Sequence, residues 1–517
     1  MRVISDLLRE RVARAPSAEA IADGALRLDN ASLARRVDAV AKALLARGVA
    51  RGDRIATLAP PSADFWITFL ATTSLGAIWQ GLNPRYQRNE YAYLLGDAEP
   101  RIVFARSPFD GRDYAAEIAA LAAPGVTICA LDERGLGDGD EFSRSGAAVA
   151  DAELAAARAR VAPEDVAVIV YTSGTTGQPK GAMLSHRAIV QTALANLEWA
   201  DPAGYESTIC AAPINHVGAL DNVCMNVFAA GGRIVFHPRV DLDALGQLNK
   251  SERPTYLVSS PTAFAMMLAR PGADLGRERS YRLIVFGGAA TPAATLREVQ
   301  KLGARMASVY GQTETCGMIT YTQAGASLET MAETIGGPIP GVELRVANGE
   351  SPVARGATGE IQVRGVCTMS GYWRKPEATR EVFTSDGWLR TGDLGFQRDD
   401  GNIVFSGRLR EMFKSGGYNV YPVEVELAIC EHPAVAQAAV VAVPHPTFQE
   451  VGHGFVVARG DAALDVAALR SFLRARIADY KVPKAWSVLR EFPYLPSGKV
   501  DKRALQASLG GRGVATP

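Results

Sequence analysis

The sequence predicts an α/β protein. A large N-terminal domain is expected to hold two mostly parallel α/β subdomains and a small β-barrel-like subdomain. A small α+β C-terminal domain should follow. Three observations carry this expectation. Helical and short apolar strand patterns alternate from residue 31 to about residue 320. Near Gly336-Gly337-Pro338 the texture changes to short alternating runs, which dominate to about residue 406. After Arg408 a mixed helix and strand pattern returns. The chain is therefore cut into 1–407, with its β-rich stretch at about 336–406, and 408–517.

Each element has its own signal. Residues 31–49 have the apolar spacing of an amphipathic helix, and 53–58 starts a strand. Residues 132–150 are rich in Gly, Asp and Ser and read as a loose surface excursion. Residues 165–170 read as a buried strand, and a helical pattern begins at about Ser185. The apolar run 283–286 ends in a tight turn at Gly287-Gly288. Residues 343–346 and 360–363 alternate as strands do, and Asp400-Gly401 between apolar runs signals a hairpin. Pro422 is placed to open a helix. Residues 434–443 and 452–458 read as strands, and 465–479 as a helix. There is no repeat at solenoid periods.

Composition narrows the functional classes. The 517 residues are 48% hydrophobic and 21% charged, an ordinary soluble balance with room for more than one domain. Lys plus Arg equals Asp plus Glu at 55 each, so charge gives no reason to expect nucleic acid or an anionic membrane as partner. The six cysteines have neither metal-ligand spacing nor the look of a disulfide framework. They read mostly as buried small hydrophobes in a reducing cytoplasm. No apolar run approaches the ~20 residues of a membrane span. Arg2, Arg9, Arg11 and Arg14 interleave with Asp6 and Glu10, as in a soluble amphipathic helix rather than a transit peptide. Val514-Ala515-Thr516-Pro517 is not a peroxisomal address. Small-molecule partners are expected, with a homodimer left open.

The richest stretch is Tyr171-Thr172-Ser173-Gly174-Thr175-Thr176-Gly177-Gln178-Pro179-Lys180-Gly181. It holds four Ser/Thr hydroxyls, three glycines and a lysine. Glycines bring backbone N–H groups close to an anion, hydroxyls add donors and Lys180 adds charge. That inventory suits a polyphosphate, and composition alone equally suits a Gly/Ser/Thr surface loop. It is not a Walker loop, because Gln178-Pro179 precede Lys180 and Gly181 follows it. Four more stretches follow in order: Tyr310-Gly311-Gln312-Thr313-Glu314, Arg390-Thr391-Gly392-Asp393-Leu394-Gly395, Gly407-Arg408 leading to Gly416-Gly417, and Leu495-Pro496-Ser497-Gly498-Lys499. Taken singly, each has a plain reading: Tyr310 a core aromatic, Glu314 a solvated carboxylate, Asp393 a turn aspartate, Lys499 a surface lysine.

Together and in this order, the five stretches resemble the signatures of the adenylate-forming superfamily of acyl- and aryl-CoA synthetases, peptide-synthetase adenylation domains and luciferases. The resemblance covers nearly the whole chain. It implies a carboxylate–CoA ligase that uses ATP, Mg²⁺ and coenzyme A, passing through an acyl-adenylate. It assigns the phosphates to Thr172, Ser173, Gly174, Thr175, Thr176, Gly177 and Lys180, and the metal to Glu314. Tyr310 and Gly311, with Gly288 and Ala289 after the 283–286 strand, would border adenine. Thr313 would touch the α-phosphate, and Asp393 would hold the ribose with Arg408 nearby. Lys499 would meet the carboxylate and α-phosphate during adenylation.

By the same resemblance His216 would gate the acyl pocket, Gly416 and Gly417 would lie along pantetheine, and Lys414 matches an active-site lysine of some plant aryl-CoA ligases. The C-terminal domain would swing between two poses about a hinge near Arg410, where the family usually has Asp or Lys. The pocket would be lined from 217–224, 287–289, 311 and 316–318, mostly small or apolar residues that suit a neutral aliphatic or aromatic acid. Asp221 and Asn222 read either as polar groups of that pocket or, more simply, as a helix surface. The rivals are an enzyme loading a carrier protein, a luciferase-like oxygenase and a catalytically inactive nucleotide-binding homologue. No Phe-Asp pair for a substrate ammonium is seen around His216, and no appended carrier domain is expected. Both points favour free CoA. Lys180, Glu314, Asp393 and Lys499 together argue against an inactive homologue.

Overall fold

The computed structural model describes residues 2–132, 135–137, 140–172, 178–200, 202–269, 280–415, 417–460, 464–495 and 499–510. Two large sheets form the N-terminal part. The first has nine strands, in spatial order Gly337–Pro338, Gly317–Tyr321, Arg305–Gln312, Leu283–Phe286, Tyr256–Ser259, Ser207–Cys210, Arg233–Phe236, Glu19–Asp23 and Leu26–Asp29. Its six inner strands, Arg305–Gln312 through Glu19–Asp23, run parallel, and antiparallel strands flank them. The second has seven strands, from Gly371–Tyr372 through Lys180–Ser185, Val166–Thr172, Ile78–Leu82, Arg54–Leu58 and Ile102–Arg106 to Thr127–Leu131. Leu283–Phe286 is buried at every position, as expected of a parallel strand covered on both faces.

The helix Ala63–Ser74 is buried along its whole length and touches strands of both sheets. A helix buried all round belongs in a core rather than at a surface. Its Trp66 packs on Phe69 and Phe228 at centroid distances of 5.0 and 5.5 Å. Each large side chain removed from water in this way contributes about 1.5–3 kcal/mol.

The β-rich stretch is a five-stranded antiparallel sheet ordered Ser351–Pro352, Val342–Asn348, Gly359–Gly365, Leu389–Gln397 and Ile403–Arg408. The texture change at residue 336 marks the edge strand Gly337–Pro338 of the nine-stranded sheet, and the small sheet begins at Val342. The Asp400-Gly401 hairpin is present, pairing Gln397 with Ile403. A fourth sheet is built from Phe413–Ser415, Tyr418–Val420, Val435–His445, Gln449–Ala458 and Ala485–Leu489. It has its own core, including Val425, Ile429, Val440, Val456, Leu469 and Leu473. Beside it Lys502 pairs with Glu411 at 2.9 Å and Glu426 at 2.8 Å.

Several elements match their signals and some differ. Ser185 caps the helix His186–Trp199 by accepting from Ala188 N, and Pro422 opens Pro422–Cys430. The first long helix is Asn30–Ala46, capped by Asp29. The helix expected at 465–479 stops earlier, at Val466–Arg474. The 132–150 stretch is not the loose excursion expected. Among its described residues, Leu136 and Phe142 are buried, Leu136 N donates to Asp64, and Gly146 lies so close to the backbone of Ala43 that a Cβ would overlap it. A few apolar residues dock this segment despite its polar composition. Arg11 is also inside, donating to Asn30 and to the Phe228 and Gly232 carbonyls. All six cysteines are free, four of them buried. Among the described residues no helix is long and apolar enough to cross a membrane.

Candidate active site

The site lies at the carboxyl ends of parallel strands, where open α/β sheets place their ligands. Leu283–Phe286 and Arg305–Gln312 run side by side, which sets the turn 287–289 next to Tyr310. Gly288 has φ +84° with open space around it, and it and Ala289 are exposed. Gly311 has a backbone reason to be glycine: a Cβ there would overlap the carbonyl oxygen of Gly317 on the paired strand. Thr313 and Glu314 lie in a short turn whose Thr315 hydroxyl accepts from Gln312 N at 3.0 Å.

Tyr310 reaches across to the small sheet, its hydroxyl donating to Asp393 Oδ2 at 2.7 Å. Arg408 Nε lies 3.5 Å from Asp393 Oδ1. Asp393 and Arg408 are partners in register on adjacent antiparallel strands, which fixes their proximity. Burial raises the pKa of Asp393, and the charge of Arg408 and the Tyr310 hydrogen bond pull it back. Burial first and the nearby Asp393 charge second raise Tyr310.

Val166–Thr172 and Lys180–Ser185 pair antiparallel, with Thr172 and Lys180 in register. The Thr172 hydroxyl donates to the Lys180 carbonyl at 3.3 Å. Ser173, Gly174, Thr175, Thr176 and Gly177 lie outside the described residues, as does Gly416. Lys180 Nζ sits 5.3 Å from the centroid of the Tyr372 ring, and the Tyr372 hydroxyl donates to Glu314 Oε1 at 2.8 Å. Met369 N donates to the Glu314 carbonyl at 2.9 Å, tying the two segments together.

Lys499 joins this cluster from a bend beyond Ala485–Leu489, the last strand of the C-terminal sheet. It keeps an exposed surface, yet it is walled in closely enough that desolvation, followed by the Arg408 charge, lowers its pKa. Asp393, Glu314 and Glu411 oppose that shift. His216 is lowered to about 4, chiefly by burial and then by Lys499, and its Nε2 has no hydrogen-bond partner. It is therefore a neutral ring near neutral pH. Lys414 and Gly417 stand instead on the hairpin Phe413–Ser415 and Tyr418–Val420. Among the described residues no hydrogen bond or ion pair joins Lys414 to the cluster.

One site feature escaped sequence reasoning, and for two others the simpler of two readings fails. Tyr372 gives no chemical signal, since an aromatic on a short strand is ordinarily core. Asp221 and Asn222 do not form the helix surface expected of them. Asp221 is buried, and Asn222 Oδ1 accepts from Met318 N at 3.0 Å. Their segment, Gly218–Met225, is a π-helix packed against the helix His186–Trp199 and the strand Gly317–Tyr321.

The arrangement gathers three cations, Lys180, Arg408 and Lys499, around two carboxylates and an exposed turn. That inventory can bring two anions together. Mg²⁺ fits Glu314 as an oxygen donor. Among the described residues no group of three or more His, Cys, Asp or Glu could hold a metal. The ion would therefore complete its shell with phosphate oxygens and water, as Mg²⁺ commonly does.

Comparison with known proteins agrees with this geometry. The AMP-binding enzyme model matches residues 8–373, and the AMP-binding enzyme C-terminal domain model matches residues 424–499. An indoleacetate–CoA ligase of Aromatoleum aromaticum is 35% identical over 486 residues, covering 92% of each chain. A feruloyl-CoA synthase of Amycolatopsis is 33% identical, covering 97% of this chain and 98% of the relative. The crystal structure of ATP-bound MatB from Rhodopseudomonas palustris superimposes with a TM-score of 0.86 at 32% identity, covering 98% of this chain and 99% of that one. The chain belongs to the AMP-binding enzyme family, among its AMP-forming carboxylate–CoA ligases, which use ATP to activate an acid and coenzyme A to accept it.

Proposed function

We propose that the acid is neutral apart from its carboxylate and aromatic, and that one site serves both half-reactions through a swing of the C-terminal part. The observation that carries this reading is the convergence of Lys499 with Asp393, Glu314 and His216, which come from four separated stretches of sequence. It supports a pose suited to adenylation. In that step a carboxylate oxygen attacks the α-phosphorus of ATP, and the bond to pyrophosphate breaks. Lys499 offsets the charge of the two approaching anions, and Lys180 with the 172–177 loop holds the departing phosphates. Glu314 would hold Mg²⁺, which supplies further charge neutralisation when bound. Asp393 keeps acceptor capacity for ribose hydroxyls, and Tyr310 with Gly288 and Ala289 borders the base. Neutral His216 positions the acid at the pocket mouth and does not pair charge with it.

In the second step the CoA sulfur attacks the acyl carbonyl and AMP leaves. Lys414, Gly416 and Gly417 belong to that step, which agrees with the separation of Lys414 from the cluster. The domain boundary falls at 407–408, with the pivot near Arg410. The aromatic preference follows the relatives named for indoleacetate and ferulate, and the small and apolar lining of the pocket. A cytoplasmic setting accords with six free cysteines. The test is a panel of carboxylates assayed for ATP- and CoA-dependent AMP formation. Turnover confined to neutral aromatic acids is expected, with the free CoA thioester as product. Turnover only with dicarboxylates, or only with a carrier protein, would contradict the reading.

A further inference from the structure

Asp221 is 4% exposed, and neither of its carboxylate oxygens has a hydrogen-bond partner. Buried polar groups are almost always satisfied, and a lone carboxylate is among the most expensive groups to desolvate. Among the described residues no Lys, Arg or His charge offsets that cost. The titratable groups whose environment Asp221 perturbs are two thiols, Cys224 on its own segment and Cys316 on the facing turn. Burial raises the carboxyl well above its usual range. Among the described residues no group could make this a metal centre.

Its position has direction. Asp221 lies on the π-helix Gly218–Met225, a geometry that recurs at functional sites. It stands five residues beyond His216, whose ring feels the charge of Lys499. The His216 carbonyl accepts from Ala219 N and Leu220 N, so the histidine heads this segment and Asp221 follows about one turn later. On the far side are Cys316 and the Gly317–Met318 backbone that Asn222 holds at 3.0 Å. The carboxyl thus lies near Cys316, beside the strand residues expected to border the acyl group.

We propose that Asp221 is a specificity-determining residue at the inner end of the acyl pocket, selecting acids that carry a neutral O–H or N–H donor remote from their carboxylate. This rests on the reading above that 217–224 and 311–318 line that pocket. A protonated carboxyl can accept from such a donor and offer its own proton in return. A second carboxylate has no counter-charge there.

The test uses the full chain and pairs of acids that differ in the donor: para-hydroxyphenylacetate against phenylacetate, and indoleacetate against naphthylacetate. Pyrophosphate release gives kcat/KM for each. The wild type should favour the donor-bearing member by at least about tenfold, since a site built for a hydrogen bond rejects the partner lacking it. Asp221→Leu should bring the ratio near one by slowing the donor-bearing acid and sparing the other. Asp221→Asn, of equal size, should keep part of the preference, and it carries the test if the leucine variant does not fold. Equal slowing of both acids, or no wild-type preference in either pair, overturns the proposal. Pyrophosphate release with none of the acids overturns the aromatic-acid reading beneath it, a separate and recognisable result.

Discussion

The hydroxyl of Tyr310 donates to the carboxylate of Asp393 at 2.7 Å, joining the nine-stranded sheet to the small antiparallel one. The bond supports one acceptor of a buried carboxylate whose other oxygen faces Arg408. Hydrogen bonds to charged groups contribute about 1.5–3 kcal/mol. Tyr310→Phe keeps the ring and deletes the donor. It should raise the KM for ATP about tenfold to a hundredfold, with kcat for pyrophosphate release changing less. An unchanged KM would remove the pair from the nucleotide site.

Lys499 should matter to one half-reaction only. Two unit charges ~4 Å apart interact by about 4 kcal/mol at an effective dielectric of ~20, and each ~1.4 kcal/mol is a factor of ten in rate. Lys499→Ala should slow acyl-adenylate formation by about two to three orders of magnitude. The same variant should still convert a supplied acyl-adenylate and CoA to thioester. Equal loss in the two assays would refute both the assignment and the swing about residue 410.

Glu314 is tied to Tyr372 and lies beside Lys180 through that ring. Glu314→Gln preserves size and removes charge. Its pyrophosphate release should fall sharply at limiting Mg²⁺ and recover in part as Mg²⁺ is raised. Tyr372→Phe should shift the Mg²⁺ dependence less, because the carboxylate remains. Wild-type behaviour of Glu314→Gln at limiting Mg²⁺ would exclude a metal role.

The sequence was most legible where chemistry is local. Ser185, Pro422 and the Asp400-Gly401 hairpin act through their immediate neighbours, and each is where its signal put it. Order in the chain carried the family. What stayed hidden depends on distant partners. Tyr372 meets Glu314 across 58 residues, and Asn222 meets Met318 across 96. For Asp221 the sequence left pocket and helix surface both open, because a π-turn shifts the helical spacing that separates core from surface. Leu136 and Phe142 show the same limit in the 132–150 stretch, where two apolar residues outweigh a loop-like composition.

His186 offers a stability test apart from catalysis. It is buried, its Nδ1 accepts from Ile4 N at 3.3 Å, and burial lowers its pKa from 6.5 to about 4. The unfolded chain therefore takes up the proton first. The contribution of the neutral ring is whole above about pH 6.5 and is lost as pH falls through that value towards about pH 4. At about pH 5 the loss should be about 2 kcal/mol relative to about pH 7.5. Chemical denaturation of the wild type and His186→Gln at both pH values would measure it. The variant should lack that increment, and identical pH dependence in the two proteins would refute it.

Gly311 and Gly317 also bear on how such a pocket can diversify. A side chain at Gly311 would strike the Gly317 carbonyl, and one at Gly317, whose φ is +91°, would strike Asn222. Mutation has little freedom on that strand pair, because the obstacle at Gly311 is backbone and a residue at Gly317 would meet both a left-handed φ and the Asn222 side chain. Divergence in substrate choice within this scaffold is thereby channelled to the opposite, helical wall, where positions such as Val217 and Asp221 can change while the strand pairing is left alone.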